Sequence, residues 1–218
     1  MYLARTPYLL KKIYPKAVWR FSPSEKNIYL TFDDGPIDTI TTWVLDELKK
    51  YNVKATFFCV GANIEKQPEI YKRIIEEGHQ TGNHTYNHLN GWNTHTRTYL
   101  KNVLMCEDTL NKNVSQNTSS LTLKEKKLFR PPYGKVKNTQ YSILNTQYSI
   151  IMWDVLSGDY DKKTTNEKCL SNVIDNVRNG SIVLFHDSIK AEANLKYALP
   201  QFIEWALKEG YSFKRVEV

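Results

Sequence analysis

The chain has 218 residues, of which 41% are hydrophobic and 24% charged, a composition that predicts one globular domain with a sizeable core. Lys and Arg number 30 against 23 Asp and Glu, which gives a net charge of +7. The cations are scattered, which argues against a nucleic-acid-binding protein. No long apolar run suggests a transmembrane protein. The cysteines are odd in number and lack short spacings, which argues against a fold held by disulfides.

The first 26 residues are predicted to form a basic extension of the domain, which itself spans 27–218. They lack the sustained apolar segment and the small-residue cleavage site of a signal peptide. Their cations are Arg5, Lys11, Lys12, Lys16 and Arg20. We expect the segment to pack on or flank the domain, with peripheral contact with an anionic membrane surface as the alternative. The expected location is therefore cytoplasmic or peripheral to a membrane.

The first half of the domain alternates strands with helices. Strands are predicted at 27–32 and 54–60, where β-branched and aromatic residues are dense. Helical spacing is seen in two sets of apolar residues: Val44, Leu45, Leu48 and Tyr51, then Ile70, Tyr71, Ile74 and Ile75, with Gly78 as a C-cap. Residues 79–96 are polar and contain glycine, so they are predicted to be a loop. Within this loop His79 is expected to be structural and His95 exposed.

The second half repeats the alternation after one interruption. Helical spacing returns over 98–110 through Leu100, Val103 and Leu104, and 111–127 is a polar, low-complexity surface excursion without a readable function. The remaining predicted elements are a helix at 138–146, a strand at 148–154, a helix at 166–178, a strand at 181–187, a helix at 195–209 and a closing strand at 211–218.

This alternation predicts about six or seven parallel β/α units, arranged as a barrel or a doubly wound sheet. In either architecture the chemistry collects at the carboxyl ends of the strands. Several polar residues are predicted at that rim, namely Asp33, Asp34, Asp154, Asp159, His186 and Asp187. Turn chemistry alone explains a TFDDGP segment, but it does not explain acids and histidines that gather at one edge.

Two histidines have the spacing of metal ligands. His84 and His88 are four residues apart, which on a helical turn places both imidazoles on one side. A carboxylate from TFDDGP would complete a three-ligand site with open positions, the arrangement of a catalytic rather than a structural metal. The pair is weak support by itself, because such spacing also arises by chance.

Three further segments have plain structural alternatives. The segment 128–134, LFRPPYG, reads as a rigid surface turn with an exposed Arg130. The segment 153–160, WDVLSGDY, reads as a polar loop, and His186 at the end of VLFHD as a half-buried side chain without a catalytic task.

Taken in order, these segments resemble the NodB-homology polysaccharide deacetylases, carbohydrate esterase family 4. The matching motifs are TFDDGP at 31–36, HTYNH at 84–88, RPPYG at 130–134 and LFH at 184–186, so the resemblance spans roughly 27–213. The fourth family motif, DxxDW, departs here, since the chain reads LSGDY at 156–160. Leu156 replaces the first Asp and Tyr160 the Trp, which affects the expected shape of the substrate groove.

The resemblance implies a distorted (β/α)7-type barrel of mostly parallel strands in a single α/β domain, and a division of labour between the adjacent aspartates. Asp34 would bind a metal ion with His84 and His88, while Asp33 would act as general base. The metal would be Zn²⁺ first, with Co²⁺ or Ni²⁺ also suited to the same N and O ligands. His186 would act as general acid.

The remaining implied roles concern positioning and substrate. They are Arg130 orienting Asp33, Asp159 orienting His186, the Tyr133 backbone N–H in the oxyanion hole, Leu184 in the acetyl pocket and Tyr160 in the sugar groove. The implied activity is hydrolysis of the acetamide of N-acetylated sugars in chitin oligomers or a peptidoglycan-like glycan, by a monomer. Two alternatives use the same fold: an O-acetyl glycan esterase, and a catalytically silent carbohydrate-binding protein.

Overall fold

The computed structural model describes residues 3–113 and 127–218. Most of the predicted surface excursion at 111–127 therefore lies outside the described residues. The described strands are β1 Asn27–Asp33, β2 Thr56–Cys59, β3 Gln80–Asn83, β4 Lys127–Phe129, β5 Tyr148–Ile150, β6 Val155–Leu156, β7 Ile182–His186 and β8 Ser212–Phe213. The described α-helices are α1 Tyr8–Lys11, α2 Ile40–Lys50, α3 Gly61–Lys66, α4 Pro68–Glu76, α5 Thr96–Lys112, α6 Asn138–Gln147, α7 Asn166–Ile174 and α8 Glu192–Lys208.

The strands form one parallel, curled sheet. Its order is β5-β4-β3-β2-β1-β7-β6, and β8 pairs with the beginning of β1. Helices connect most of the parallel strands, so the predicted single α/β domain of mostly parallel strands is confirmed. The sheet is a half-barrel, because β5 and β6 stand at opposite ends of the strand order.

The segment before β1 bridges these two sheet ends. Val18 pairs with Ile151, directly after β5, and Arg5 pairs with Val155 of β6. The Leu156 amide also donates to the carbonyl of Ala4 at 2.7 Å. The N-terminal segment therefore supplies main-chain hydrogen bonds where a closed barrel would have a strand pair.

The predicted loop at 79–96 is wrong in its first part, since Gln80–Asn83 is strand β3 between β2 and β4. The segment QTGN contains no apolar residue, so it lacks the alternation by which a strand is recognised. Gly82 is required there because a Cβ would collide with the ring of Phe58. The Asn83 amide is buried and donates to the Val103 carbonyl at 2.9 Å. Because the buried polar side chain of this strand is hydrogen-bonded, the strand needs no apolar residue and shows no hydrophobic pattern in the sequence.

The strand at 148–154 also differs from the prediction. It is interrupted between β5 and β6, because two carbonyls leave the ladder and accept side-chain donors: Met152 from Arg130 at 2.9 Å and Trp153 from Thr6 at 2.8 Å. The short strand β4 falls in a segment that was predicted to be a turn. The helix predicted at 166–178 ends at Ile174, and the closing strand is limited to Ser212–Phe213.

The main core lies between the sheet and helices α2, α4, α7 and α8. The predicted inward faces are confirmed: Val44, Leu45 and Leu48 of α2 are buried, as are Leu195, Leu199, Phe202 and Ala206 of α8. A second cluster joins Tyr14 and Trp19 of the N-terminal segment to Tyr99 and Tyr141. Cys59, Cys106 and Cys169 are free and buried, as predicted. Within residues 3–113 and 127–218, no helix combines the length and apolar character needed to cross a bilayer.

Asp154 does not lie at the rim to which it was assigned. Its amide donates to the Ile182 carbonyl at the beginning of β7, the end of the strand remote from His186. Its buried carboxylate pairs with Lys11 and Arg178, each at 3.0 Å. Asp154 therefore anchors the N-terminal segment to the domain and has no place in the candidate site.

Candidate active site

The segment after β1 separates the two adjacent aspartates. Asp33 is the last residue of β1 and is buried, while Asp34 has a left-handed backbone conformation with φ of 86°. The amide of Gly35 then donates to Asp187 Oδ1 at 3.0 Å. A Cβ at position 35 would collide with that carboxylate, so glycine is required. The Asn63 amide holds the Asp34 carbonyl at 2.7 Å.

Asp33 is bound to a fully buried arginine. Arg130 Nη1 donates to Asp33 Oδ1 at 2.7 Å and to Thr31 Oγ1 at 2.9 Å. Its Nε donates to the Ile151 carbonyl at 3.1 Å, and its guanidinium lies 4.1 Å from the centre of the Phe58 ring. The alternative of an exposed arginine on a surface turn is therefore wrong. The guanidinium fixes one oxygen of Asp33 and leaves Oδ2 facing His84 Nε2 at 3.7 Å.

Asp34, His84 and His88 form a group in which one ligand atom from each residue lies within 4.8 Å of the others. Asp34 Oδ1 is 3.1 Å from His88 Nε2 and 3.8 Å from His84 Nε2. The same oxygen is buried and accepts no well-aligned hydrogen bond from the described residues. A buried carboxylate oxygen without such a donor, facing two imidazole nitrogens, fits a divalent cation.

The histidine pair lies in a loop, as predicted for this part of 79–96, and not on the helical turn that a spacing of four residues would also fit. Both residues follow β3 in a loop where Thr85 and His88 have left-handed conformations, with φ of 62° and 54°. His84 Nδ1 lies 2.8 Å from the Arg130 carbonyl, which orients Nε2 towards Asp34. Burial lowers the pKa of His84 to about 4, so the imidazole is neutral and its Nε2 lone pair is available to a cation.

A second pair lies on the other side of the pocket. His186 is the register partner of Asp33 across the β1–β7 ladder. Its Nδ1 is 2.8 Å from Asp159 Oδ1, and its backbone amide donates to Asp159 Oδ2 at 2.7 Å. Burial alone would lower the pKa of His186, but the carboxylate of Asp159 outweighs this effect and raises the pKa to about 9. His186 is therefore protonated at neutral pH.

A cavity of about 340 Å³ connects these groups. Tyr133 enters it from a left-handed position with φ of 61°, and its ring centre is 4.6 Å from that of His88. Tyr160 meets the His186 ring edge-on at 4.9 Å, and Leu184 lines the wall. The structure thus brings all ten residues named by the resemblance to this pocket or to the two pairs that support it. His79 lies elsewhere and accepts the Ala55 amide at 3.1 Å, and His95 is exposed.

Sequence reasoning missed several residues of the cavity. Lys135, Trp153 and Lys190 line it beside Leu156, which closes the wall with an apolar side chain. Asp187 was placed at the rim without a task, yet it holds Gly35 and accepts the Thr41 hydroxyl at 2.6 Å. The position of Asp187 directly after His186 was the sequence feature that could have indicated this supporting role.

Comparison with known proteins gives a consistent result. A family model described as polysaccharide deacetylase matches residues 21–148. A peptidoglycan-N-acetylglucosamine deacetylase of Bacillus cereus is 32% identical over 91% of this chain and 90% of that protein. A second B. cereus protein of the same description is 38% identical over 76% of this chain, but the chain covers only 57% of its length.

A solved structure shares the architecture. It is a peptidoglycan N-acetylglucosamine deacetylase in complex with 4-naphthalen-1-yl-N-oxidanyl-benzamide. The TM-score is 0.85 at 32% sequence identity, over 97% of this chain and 95% of that chain. The similarity therefore covers the N-terminal segment as well as the sheet and its helices.

Proposed function

The chain belongs to the polysaccharide deacetylase family, and from that premise we propose that it is a metal-dependent N-deacetylase of acetamido sugars. The substrate would be an N-acetylated glycan of the peptidoglycan or chitin-oligomer type, converted to the free amine and acetate. The relatives' described activity on N-acetylglucosamine in peptidoglycan supports this class of substrate.

One observation carries the proposal. Asp33, oriented by Arg130, and His186, oriented by Asp159, face one cavity from two sides, and the group Asp34, His84 and His88 lies in the same cavity. A carboxylate that can accept a proton and an imidazolium that can donate one, held on two sides of one cavity, are what amide hydrolysis needs.

We assign the cation to Asp34, His84 and His88, with Zn²⁺ as the first candidate and Co²⁺ or Ni²⁺ as alternatives. Such an ion, when bound, lowers the pKa of a water molecule towards neutrality and polarises a carbonyl group. The neutral imidazole of His84 supports this assignment, as does the buried Asp34 oxygen, which accepts no well-aligned hydrogen bond from the residues that the structure describes.

Asp33 is the proposed general base. Its Oδ1 is occupied by Arg130 at 2.7 Å, so Oδ2 is the oxygen that takes a proton from the attacking water. Because the guanidinium is fully buried and bonded to main-chain carbonyls, it fixes the carboxylate in one orientation. Arg130 is therefore a positioning residue.

His186 is the proposed general acid. Its Nδ1 is held by Asp159, so Nε2 is the nitrogen that donates a proton to the sugar amine as the C–N bond breaks. An amine anion is a poor leaving group, and a pKa of about 9 keeps this proton available at neutral pH. Tyr133, through its backbone N–H, would stabilise the oxyanion, with Leu184 against the acetyl methyl group and Tyr160 against the sugar.

The test compares acetate release from an N-acetylated chitin tetramer with release from an O-acetylated xylan oligomer, using zinc-loaded and chelator-treated protein. We expect zinc-dependent release from the chitin tetramer. Release from the xylan oligomer alone would favour the O-acetyl esterase, because the same water chemistry serves esters. Binding of both oligomers without release by zinc-loaded protein would favour a silent carbohydrate-binding protein.

The N-terminal segment has exposed side chains that bear on contact with a membrane surface. Tyr8 and Leu9 on α1 are more than 70% exposed, and the ammonium group of Lys12 lies 5.2 Å from the centre of the Tyr8 ring. Apolar side chains next to a cation suit the headgroup region of an anionic bilayer, so we propose peripheral contact with a membrane.

A further inference from the structure

A second cavity adjoins the catalytic one. It has a volume of about 370 Å³, within the range of small-molecule sites, and it shares Tyr133, Lys135, Trp153 and Leu156 with the catalytic cavity. Its opposite wall is built by the N-terminal segment through Leu3, Pro7, Leu10 and Ile13. We call this space the N-terminal cleft. A molecule whose sugar lies in the catalytic cavity can therefore extend into the cleft without leaving the protein surface.

The polar side chains that line the N-terminal cleft away from the catalytic cavity already donate hydrogen bonds. Four of them donate to main-chain carbonyls: Thr6 to Trp153 at 2.8 Å, Tyr14 to Val136 at 2.6 Å, Trp19 to Tyr14 at 3.3 Å and Trp92 to Val136 at 3.3 Å. A sugar ring needs directed partners for its hydroxyl groups, and these four donors are not free to serve it. The chemistry of the cleft therefore favours a hydrocarbon over a second sugar.

The wall shared with the catalytic cavity has a different character. Within the described part of the chain, the side chains of Lys135, Tyr133 and Trp153 donate no hydrogen bond, and Lys135 and Lys190 form no ion pair with a carboxylate. Lys135 lies 5.2 Å from the Trp92 ring centre, between the two cavities. An anionic group is what this junction would attract.

We propose that the N-terminal cleft binds the hydrocarbon chain of an amphiphilic substrate, an acetamido sugar joined to that chain through an anionic linker. The acetamido group lies in the catalytic cavity, the linker beside Lys135, and the chain against Leu10 and Ile13. This inference rests on the proposed N-deacetylase activity and specifies the class of sugar conjugate on which it acts.

The exposure of the cleft wall agrees with an occupant that covers it. Leu10 is 47% exposed and Ile13 is 50% exposed, although both lie beside the buried Tyr14. No acidic residue precedes Glu25, so the segment that forms the wall carries only positive charge. An anionic amphiphile complements both properties, since its chain removes apolar surface from water and its negative charge is attracted to the positive charge of the segment.

The experiment uses two substrates that differ only in chain length: N-acetylglucosamine carrying a decyl phosphate at C1, and the same sugar carrying a methyl phosphate. We expect kcat/KM for acetate release to be at least about tenfold higher for the decyl compound. Leu10→Gln should reduce this ratio to near one. Leu9→Gln is the matched control, because Leu9 lies on the same helix, is 73% exposed and is not part of the cleft wall.

A calorimetric titration of both compounds into the zinc-loaded protein gives a second readout that does not need turnover. Tighter binding of the decyl compound, lost in Leu10→Gln and kept in Leu9→Gln, supports the cleft even if no acetate is released, in which case the proposed activity alone fails. Equal kcat/KM and equal affinity for the two compounds would overturn the inference. It would also be overturned if Leu10→Gln removed a preference for the chitin tetramer over its monomer, which would make the cleft a sugar site.

Discussion

Asp33 and Asp34 are adjacent but have different neighbours. Replacing the proposed base, Asp33, should therefore have a different effect from replacing a proposed metal ligand. Asp33→Asn keeps an oxygen that can accept from Arg130 and leaves Asp34, His84 and His88 intact. We expect kcat to fall by about a thousandfold or more while zinc stays bound. His84→Ala should lose both zinc and activity. The checks are kcat and the zinc content after dialysis, and equal zinc loss in the two variants would contradict the assignment.

The buried pair Arg130–Asp33 predicts a large loss of stability when one partner is removed. Arg130→Met leaves the Asp33 carboxylate buried without its counter-ion, and we expect the free energy of unfolding to fall by about 3–5 kcal/mol. Urea unfolding measures this change. Arg215→Met is the control, since Arg215 and its carboxylate partner Glu217 are both exposed and the pair should contribute less than about 1 kcal/mol. Equal effects of the two substitutions would show that Arg130 does not compensate a buried charge.

The pair His186–Asp159 predicts the alkaline limit of activity. A general acid works only while protonated, so the rate should be maintained below the pKa of about 9 and lost as pH rises through it. Asp159→Asn removes the carboxylate that raises this pKa, so the alkaline limb should move down by about one to three pH units. The pH profile of kcat measures the shift. Asp161→Asn, two residues away and without contact with His186 in the described hydrogen bonds, should leave the limb in place.

At the scale of elements, the segments that follow β1 and β7 are held together by the close contact of Gly35 with Asp187. Gly35→Ala places a methyl group against the Asp187 carboxylate and should displace the segment that holds Asp33 and Asp34. We expect at least about 2 kcal/mol lower stability and weaker zinc binding. Gly210→Ala is the comparison, because Gly210 has φ of 81° but nothing within 4 Å of a Cβ, so only backbone strain of about 1 kcal/mol is expected. Unchanged zinc affinity in Gly35→Ala would contradict the role of this contact.

Elements with an apolar face were predictable from sequence, and elements without one were not. The inward faces of α2 and α8 follow directly from the spacing of residues such as Leu48 and Phe202. Strand β3 has no such signal, because Gly82 makes room for Phe58 and Asn83 is satisfied by hydrogen bonds. The loop that carries His84 and His88 was predicted, but the strand that leads into it was not.

For the molecule as a whole, the alternation of strand and helix patterns predicted the parallel β/α architecture, and the resemblance carried by the motifs predicted the residues that gather in one cavity. Motifs could not predict how the sheet ends are bridged, because Val18 and Arg5 pair with residues more than a hundred positions away. The same long-range contacts build the N-terminal cleft beside the catalytic cavity. A segment first interpreted as a basic extension is therefore part of the surface that meets the substrate in our proposal.

The most direct test of the account is acetate release from the chitin tetramer by metal-free protein as zinc is added in steps. We predict that the rate rises with zinc and levels off at one ion per chain. His186→Gln should bind the same amount of zinc and release no measurable acetate, because the ligands are intact and the general acid is missing. Release that persists in the metal-free protein, or equal release by His186→Gln, would contradict a metal-dependent deacetylase built from these residues.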